Sequence, residues 1–450
     1  MTRPFSRRDF LAASGVAGLG TFLNGCATTL VAADASVDDK PAILGGKAMT
    51  MGGVPSWPVL QGEEEKLLLE VLNSKNWCCW TMKFKVAEFE KKYAEMNGAK
   101  HCIATNGGTS ALINTLAALE VGPGDEVITS PFTFVATINS ILSHYALPTV
   151  ADVDIESAQI DPAKADAACT ENTAVLMPVH IGGLPADMDG FMELGKKRKL
   201  PVVEDACQAH LGKWRDKYLG SIGTAGCFSF QVTKNLACGD GGAVLTSDDA
   251  LADKIYACHN NGRGRTVSSF MQNAVRGRNN RMIEFAGAIL LAQMAGIEKY
   301  AEIREENGLY LNKLLSEIPG VVPAKRYAGV TQSAWHLYMF RIEKEKFGLD
   351  RDTFIKALSA EKIPGGVGYS AVDWTEYTKK IYSTRAAGRL YSKKFLDDWA
   401  ERVGDLPKYK RLASEAVWFG QNLLVGPKKN MDIIADAIRR IQKNAAQIKG

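Results

Sequence analysis

The sequence predicts an α/β fold: a large region built on a mostly parallel sheet wrapped by helices, followed by a smaller α+β region. Two observations predict it. Across residues 101–246, short β-branched and apolar runs alternate with stretches of helical apolar spacing, the pattern of parallel strands joined by crossover helices. With 450 residues, the chain can also bury a large core and form more than one domain. Taken in order, residues 32–47 read as a polar, flexible linker, and 63–72 and 85–97 have helical apolar spacing. Strands are predicted at 101–105, 126–129, 149–153, 175–179, 202–205, 226–230 and 243–246, with a helix at 110–119. The turn at 239–242 suggests that the last two strands form an antiparallel edge. Residues 285–317 read as one long helix leading to the smaller region, where 335–343 reads as a strand and 350–361 as a helix. The expected division is 1–45, 46–290 and 291–450.

The richest stretch chemically is Phe228-Ser229-Phe230-Gln231-Val232-Thr233-Lys234-Asn235, followed by a glycine-rich turn. A strand ends near a lysine, at a place where backbone can approach a ligand closely. A lysine in a partly desolvated pocket loses proton affinity and can attack a carbonyl to form a Schiff base. Pyridoxal phosphate is the cofactor that most often uses such a lysine, although most loop lysines are solvated surface charges. That cofactor needs an anion site, a carboxylate for its ring nitrogen and a flat group against its ring.

Each has a candidate upstream. Thr105-Asn106-Gly107-Gly108-Thr109-Ser110 joins a strand to a helix, and free amides with the helix dipole favour a phosphate there. The plain alternative is a helix capped by Thr109 or Ser110. Asp205 follows Val202 and Val203 at a strand end, where a carboxylate can keep a ring nitrogen protonated. The alternative is a capping aspartate. Strand alternation puts the competing acid, Glu204, on the opposite face. Of Phe132 and Phe134, the second is the better stacking candidate, although a lone aromatic is usually core.

The motifs Gly108-Thr109-Ser110-Ala111-Leu112, Pro123-Gly124-Asp125-Glu126, Thr133-Phe134-Val135-Ala136-Thr137, Pro178-Val179-His180, Glu204-Asp205-Ala206-Cys207-Gln208, the Lys234 run and Gly277-Arg278-Asn279-Asn280-Arg281 occur in that order. From about residue 46 to the C-terminus the chain resembles the DegT/DnrJ/StrS-type sugar aminotransferases. These are pyridoxal-phosphate enzymes of the aspartate-aminotransferase fold, fold type I. The resemblance implies a seven-stranded large-domain sheet and transfer of an amino group from glutamate or glutamine to a keto-sugar, nucleotide-linked or cyclitol. It implies that Lys234 holds the cofactor as a Schiff base and shuttles the proton, and that Asp205 pairs with the ring nitrogen. Gln208 lies near the ring, Gly108, Thr109 and Ser229 bind the phosphate, and Phe134 stacks. Asn279 reaches the phosphate of a neighbouring subunit, so a homodimer with a shared active site is expected. Trp80, His180, His336, Tyr369 and the Arg278 region are candidates for the substrate pocket.

Three positions depart from the family pattern. Asp240 stands where glutamate is usual, Gly107 adds a glycine, and Asn280 replaces an aromatic residue. Relatives acting as dehydratases carry histidine in place of the lysine, so Lys234 favours transamination. A pyridoxal-phosphate sugar dehydratase or epimerase, or a non-catalytic cofactor-binding envelope protein, is the alternative.

Composition excludes little beyond nucleic acid as a partner, for which a net charge of +4 gives no case. Ser6-Arg7-Arg8-Asp9-Phe10-Leu11 resembles a twin-arginine export signal, and the apolar run after it is too short for a membrane span. Leu23-Asn24-Gly25-Cys26 resembles a lipoprotein cleavage box with Cys26 as the lipidation site; later cleavage, at 32–35, is the alternative. Export to the periplasm or envelope is therefore expected, with a cytoplasmic enzyme as the alternative. The nine cysteines show no metal-ligand spacing and read mostly as buried, reduced residues.

Overall fold

A computed structural model describes residues 39–79, 83–265 and 275–448. The first nine strands are β1 (His101–Thr105), β2 (Glu126–Thr129), β3 (Leu147–Val150), β4 (Thr173–Met177), β5 (Val203–Asp205), β6 (Lys213–Trp214), β7 (Lys217–Tyr218), β8 (Ala225–Ser229) and β9 (Gly242–Thr246). Parallel pairing joins β3 to β2, β2 to β4 and β5 to β8. Parallel bridges Leu176–Val202 and Val179–Asp205 link β4 to β5. The result is the expected seven-stranded sheet, in the order β3-β2-β4-β5-β8-β9-β1. Its strands are buried on both faces, as parallel sheets covered by helices must be.

Three expectations shift. The antiparallel strand β9 is not an edge. It returns after the segment 230–241 to pair with both β8 and β1, so it lies inside the sheet. The long helix is two helices, Glu284–Gln293 and Ile297–Ser316, joined by a 3₁₀ turn that ends at Gly296. A side chain at Gly296 would meet the Gln61 amide at 2.3 Å, so the break is where the chain passes beneath residue 61. Residues 39–47 are not a free linker. The Ala42 and Met49 amides donate to the buried carboxylate of Glu361, which Arg440 also engages. That costly buried charge is tolerated because its lone pairs are used.

The chain continues through β10 (Val321–Pro323), β11 (Val330–Gln332), β12 (Leu337–Ile342), β13 (Gly366–Val367) and β14 (Ala416–Gly420). An antiparallel sheet of order β10-β12-β14-β13 packs its Tyr338, Phe340 and Phe419 rings into a second core with the helices Arg351–Ala360 and Lys429–Lys443. The helices Trp374–Tyr382 and Lys393–Val403 fold back onto the first sheet. Trp374 Nε1 donates to the Pro131 carbonyl at 2.8 Å, and Tyr377 Oη to Asn139 Oδ1 at 2.9 Å. These contacts fasten the helix Val135–Leu142, whose N-terminus carries Phe134.

Candidate active site

A cavity of about 560 Å³ opens at the carboxyl ends of β1, β4, β5 and β8, where ligands bind in open α/β sheets. The structure brings Gly108, Thr109, Phe134, Asp205, Gln208, Ser229, Lys234, His336 and Tyr369 to its wall. The chain reaches these positions from separate strand ends, and local sequence sets each one.

The helix Gly108–Ala118 starts at Gly107 with no side-chain cap, so neither Thr109 nor Ser110 plays the capping role. By contrast, the helices beginning after Asp161, Asp187, Asp248 and Asp350 are capped by those carboxylates. The open amides of the first turn are left for an anion. Packing here requires glycine. A Cβ on Gly108 would lie 2.7 Å from the Ser229 Cβ, and one on Gly242 would meet the Gly107 backbone at 2.4 Å. The ends of β1, β8 and β9 thus converge on one small concavity.

Asp205 is 4 % exposed and lines the cavity. Its Oδ2 accepts from Thr137 Oγ1 at 2.7 Å, and its Oδ1 from the Cys207 amide at 3.2 Å. Thr137 and Thr133 hydroxyls are 2.7 Å apart; because Thr137 donates to Asp205, Thr133 donates to Thr137. Glu204 points the other way, as alternation predicts. It accepts from the Gly220, Ile222 and Gly223 amides and from His180 Nε2 at 3.0 Å. His180 therefore does not belong to the substrate pocket: its ring is fully buried, and its Nδ1 accepts from the Ala186 amide at 3.1 Å. Glu204 ties the Gly220–Gly223 turn to β5, and His180 links Glu204 to the Ala186 amide.

Lys234 lines the cavity, its Nζ 3.5 Å from His336 Nε2. Burial lowers its proton affinity, while Cys207 and Asp205 oppose that shift. Burial, with the Lys234 charge behind it, holds His336 well below the ordinary histidine range. Burial thus shifts both groups toward their neutral forms. The Lys234 turn is fixed from outside. Trp57 Nε1 donates to the Lys234 carbonyl at 2.9 Å, and Asn235 Nδ2 to the Ala334 carbonyl at 2.6 Å.

Phe134 is 56 % exposed, whereas Phe132 is fully buried in the second core. The first is thus the ring available to a ligand. Gln208 Oε1 accepts from the Gly182 amide at 2.7 Å, and its Nε2 donates to Tyr369 Oη at 3.1 Å. Asn279 is exposed and lies off this cavity, its backbone bridged to Asn260. Trp80 and Cys26 lie outside the described residues.

Sequence reasoning missed several wall and support residues. Thr133 and Thr137 flank Phe134 in one motif, one residue before it and three after, and their hydroxyls are the available signal. Buried His210 gave none. Its Nε2 donates to the Ser229 carbonyl at 2.8 Å, leaving Nδ1 to accept from Tyr93 Oη at 2.9 Å. Burial lowers its pKa to about 3, and it stiffens the end of β8 as a neutral ring. Trp418 arrives from β14 and packs at 87° to Tyr369, with ring centroids 4.9 Å apart. Among the described residues, no group of three metal-ligating side chains is found.

These side chains fit pyridoxal phosphate. An open helix end suits its phosphate, a hydrogen-bonded carboxylate its ring nitrogen, an exposed phenyl ring its face, and a desolvated amine its aldehyde.

Comparison with known proteins agrees. Residues 58–418 match the model of the DegT/DnrJ/EryC1/StrS aminotransferase family. The spore coat polysaccharide biosynthesis protein SpsC of Bacillus subtilis is 34% identical over 401 residues, covering 87% of this chain and 97% of that protein. The 3-amino-5-hydroxybenzoate synthase of Amycolatopsis mediterranei is 31% identical over 397 residues, covering 86% and 97%. A crystal structure of a 3-amino-5-hydroxybenzoic acid synthase superposes with a TM-score of 0.74 at 30% identity, covering 88% of this chain and 100% of that one. With its fold, its cavity and four-fifths of its length in agreement, the chain belongs to the DegT/DnrJ/EryC1/StrS aminotransferases and is a pyridoxal-phosphate-dependent enzyme of fold type I.

Proposed function

We propose that this cavity moves an amino group from L-glutamate or L-glutamine to a keto-sugar or keto-cyclitol, in two successive half-reactions at one amine. The observation that carries the reading is the meeting of Lys234, Asp205 and the uncapped helix end at Gly108 around a single cavity. Bound pyridoxal phosphate supplies an aldehyde that joins to amines and a ring that withdraws electrons from the adjacent carbon.

The chain's own residues do the rest. Lys234 Nζ, held toward its neutral form, takes the proton from the substrate carbon and returns it one position away. Asp205, oriented by Thr137 and the Cys207 amide, keeps a proton on the ring nitrogen. The first-turn amides with Thr109 and Ser229 would hold the phosphate, and Phe134 would supply an apolar face for the ring.

Among the relatives, one from Micromonospora echinospora bears the name putative L-glutamine:3-amino-2,3-dideoxy-scyllo-inosose aminotransferase. It supports an amino-acid donor paired with a ring ketone. Protein supplied with the cofactor is expected to show a visible absorbance band that L-glutamine or L-glutamate bleaches. A band unaltered by either would contradict amino transfer.

The working unit in this reading is a homodimer, in which the exposed Asn279 of each protomer serves the phosphate of the other. Export is also part of the reading, with the Arg7-Arg8 segment as the signal and Cys26 as the candidate lipid anchor. Fractionating cells that make the full chain, beside an Arg7→Lys/Arg8→Lys variant, tests it. Envelope-located enzyme that the double variant returns to the cytoplasm supports export, and cytoplasmic enzyme in both cases contradicts it.

A further inference from the structure

We propose that Arg304 is a positioning residue for Lys234: its guanidinium lies over the Trp57 indole and fixes the N–H that holds the Lys234 carbonyl. The inference rests on the reading that gives Lys234 the reaction, and extends it to a residue outside the cavity wall.

Arg304 lies on the helix Ile297–Ser316 and is fully buried. A partner subunit therefore does not reach its guanidinium. Its Nε and Nη2 both donate to one neutral acceptor, the Gln421 amide oxygen, with the Nε bond at 2.8 Å. Among the described residues, Nη1 has no hydrogen-bond partner, and the ionisable neighbour that acts on the group is Tyr300, not a carboxylate. A buried cation without a counter-charge costs stability. Burial pulls its pKa down to about 9, so it is still charged at neutral pH. Packing alone does not explain it, since a methionine would fill similar space between helix and strand without that cost.

What the charge does have is a ring. The guanidinium carbon sits 4.9 Å from the centroid of Trp57, within the range of cation–π attraction, which is strongest for tryptophan and grows with desolvation. Tyr300, one turn earlier on the same helix, meets Trp57 edge-on with ring centroids 5.8 Å apart. The indole is thus held in one orientation, and its Nε1 donates to the Lys234 carbonyl at 2.9 Å. A cation over the ring face also draws electrons from the indole and strengthens its N–H as a donor. Gln421 directly follows β14, the strand that carries Trp418 to the cavity. Arg304 therefore ties the Lys234 turn and the second sheet to one helix, and the placement of the amine depends on that tie.

The test compares full-length, cofactor-loaded wild type with Arg304→Met, Arg304→Lys, Trp57→Phe and the Arg304→Met/Trp57→Phe double variant. Amide hydrogen exchange of the peptide spanning residues 230–236 reports the turn directly and needs no turnover. Exchange there is expected to be roughly tenfold faster in Arg304→Met and in Trp57→Phe, and no faster still in the double variant. Arg304→Lys, which keeps a cation near the ring, is expected to recover most of the protection. Alongside, kcat should fall about tenfold in Arg304→Met and Trp57→Phe with KM for L-glutamine little changed, while the thermal midpoint of Arg304→Met holds or rises. Wild-type exchange in Arg304→Met overturns the proposal, as do effects of the two substitutions that multiply in the double variant. Equal exchange in Arg304→Lys and Arg304→Met contradicts the role of the charge. A lowered midpoint with unchanged kcat makes Arg304 structural only. Should Arg304→Met fail to fold, wild-type exchange in Trp57→Phe still overturns the proposal. Failure of L-glutamine to bleach the wild-type band overturns the amino-transfer reading itself, and the exchange data stand apart from that result.

Discussion

Lys234→Ala is expected to lower amino transfer by about 10⁴-fold or more, since it removes both the amine that bonds the cofactor and the base that moves the proton. The protein should still fold. The Lys234 backbone is held by the Trp57 indole, which donates to its carbonyl, and by the Gln231 carbonyl, which accepts from its amide; neither contact uses the ammonium group. Cofactor should still bind through the helix end and Asp205, but without the visible band of the lysine-bound form. Lys234→Arg separates charge from nucleophilicity. It keeps a cation in the same place, yet guanidinium does not deprotonate in this range, so it should be as inactive as the alanine variant. The wild-type pH dependence has a defined sign. Burial lowers the pKa of Lys234 from 10.5, so cofactor attachment should rise with pH and reach half its maximum below that value. Attachment with its midpoint at or above 10.5 would contradict the desolvated amine.

The second large effect is at Asp205. Asp205→Asn preserves shape and can still accept from Thr137, but it loses the charge that keeps a ring nitrogen protonated. A drop of about 10²–10³-fold in kcat is expected, with cofactor retained and KM for the donor little changed. A variant with cofactor retained and kcat unchanged would show that Asp205 is a structural cap after all. The position of Asp205 in the cavity wall, beside Lys234 and the uncapped helix end, argues against that alternative.

Much of the fold was legible because strands and helices here follow their simplest signals. The helix at 85–97 has its expected bounds, and the run of parallel strands follows from apolar segments separated by helical spacing. What failed depended on tertiary context. Nothing local to 239–242 says that β9 inserts between β8 and β1, since hairpin chemistry is the same at an edge and inside a sheet. At the helix break, Gly296 packs against Gln61, more than two hundred residues away in sequence, a contact nothing local announces.

The site divides in the same way. Lys234, Asp205, Gly108, Thr109 and Ser229 lie at strand ends that the sequence marks with glycine or with a change of period. His180 misled because a histidine near such an end is equally able to serve as a buried strut, and its partner Glu204 lies on the face away from the cavity. Tyr369, a pocket candidate from the sequence, does line the wall, whereas Trp418 reaches it from β14 and only the folded chain shows that it does.

The most direct test of the central claim is to trap the bound cofactor with borohydride, digest the protein and locate the modified peptide by mass. The account predicts one pyridoxyl-phosphate adduct, on Lys234, lost in Lys234→Ala and reduced when L-glutamine is added before trapping. An adduct on another lysine, or none in cofactor-saturated protein, would contradict it.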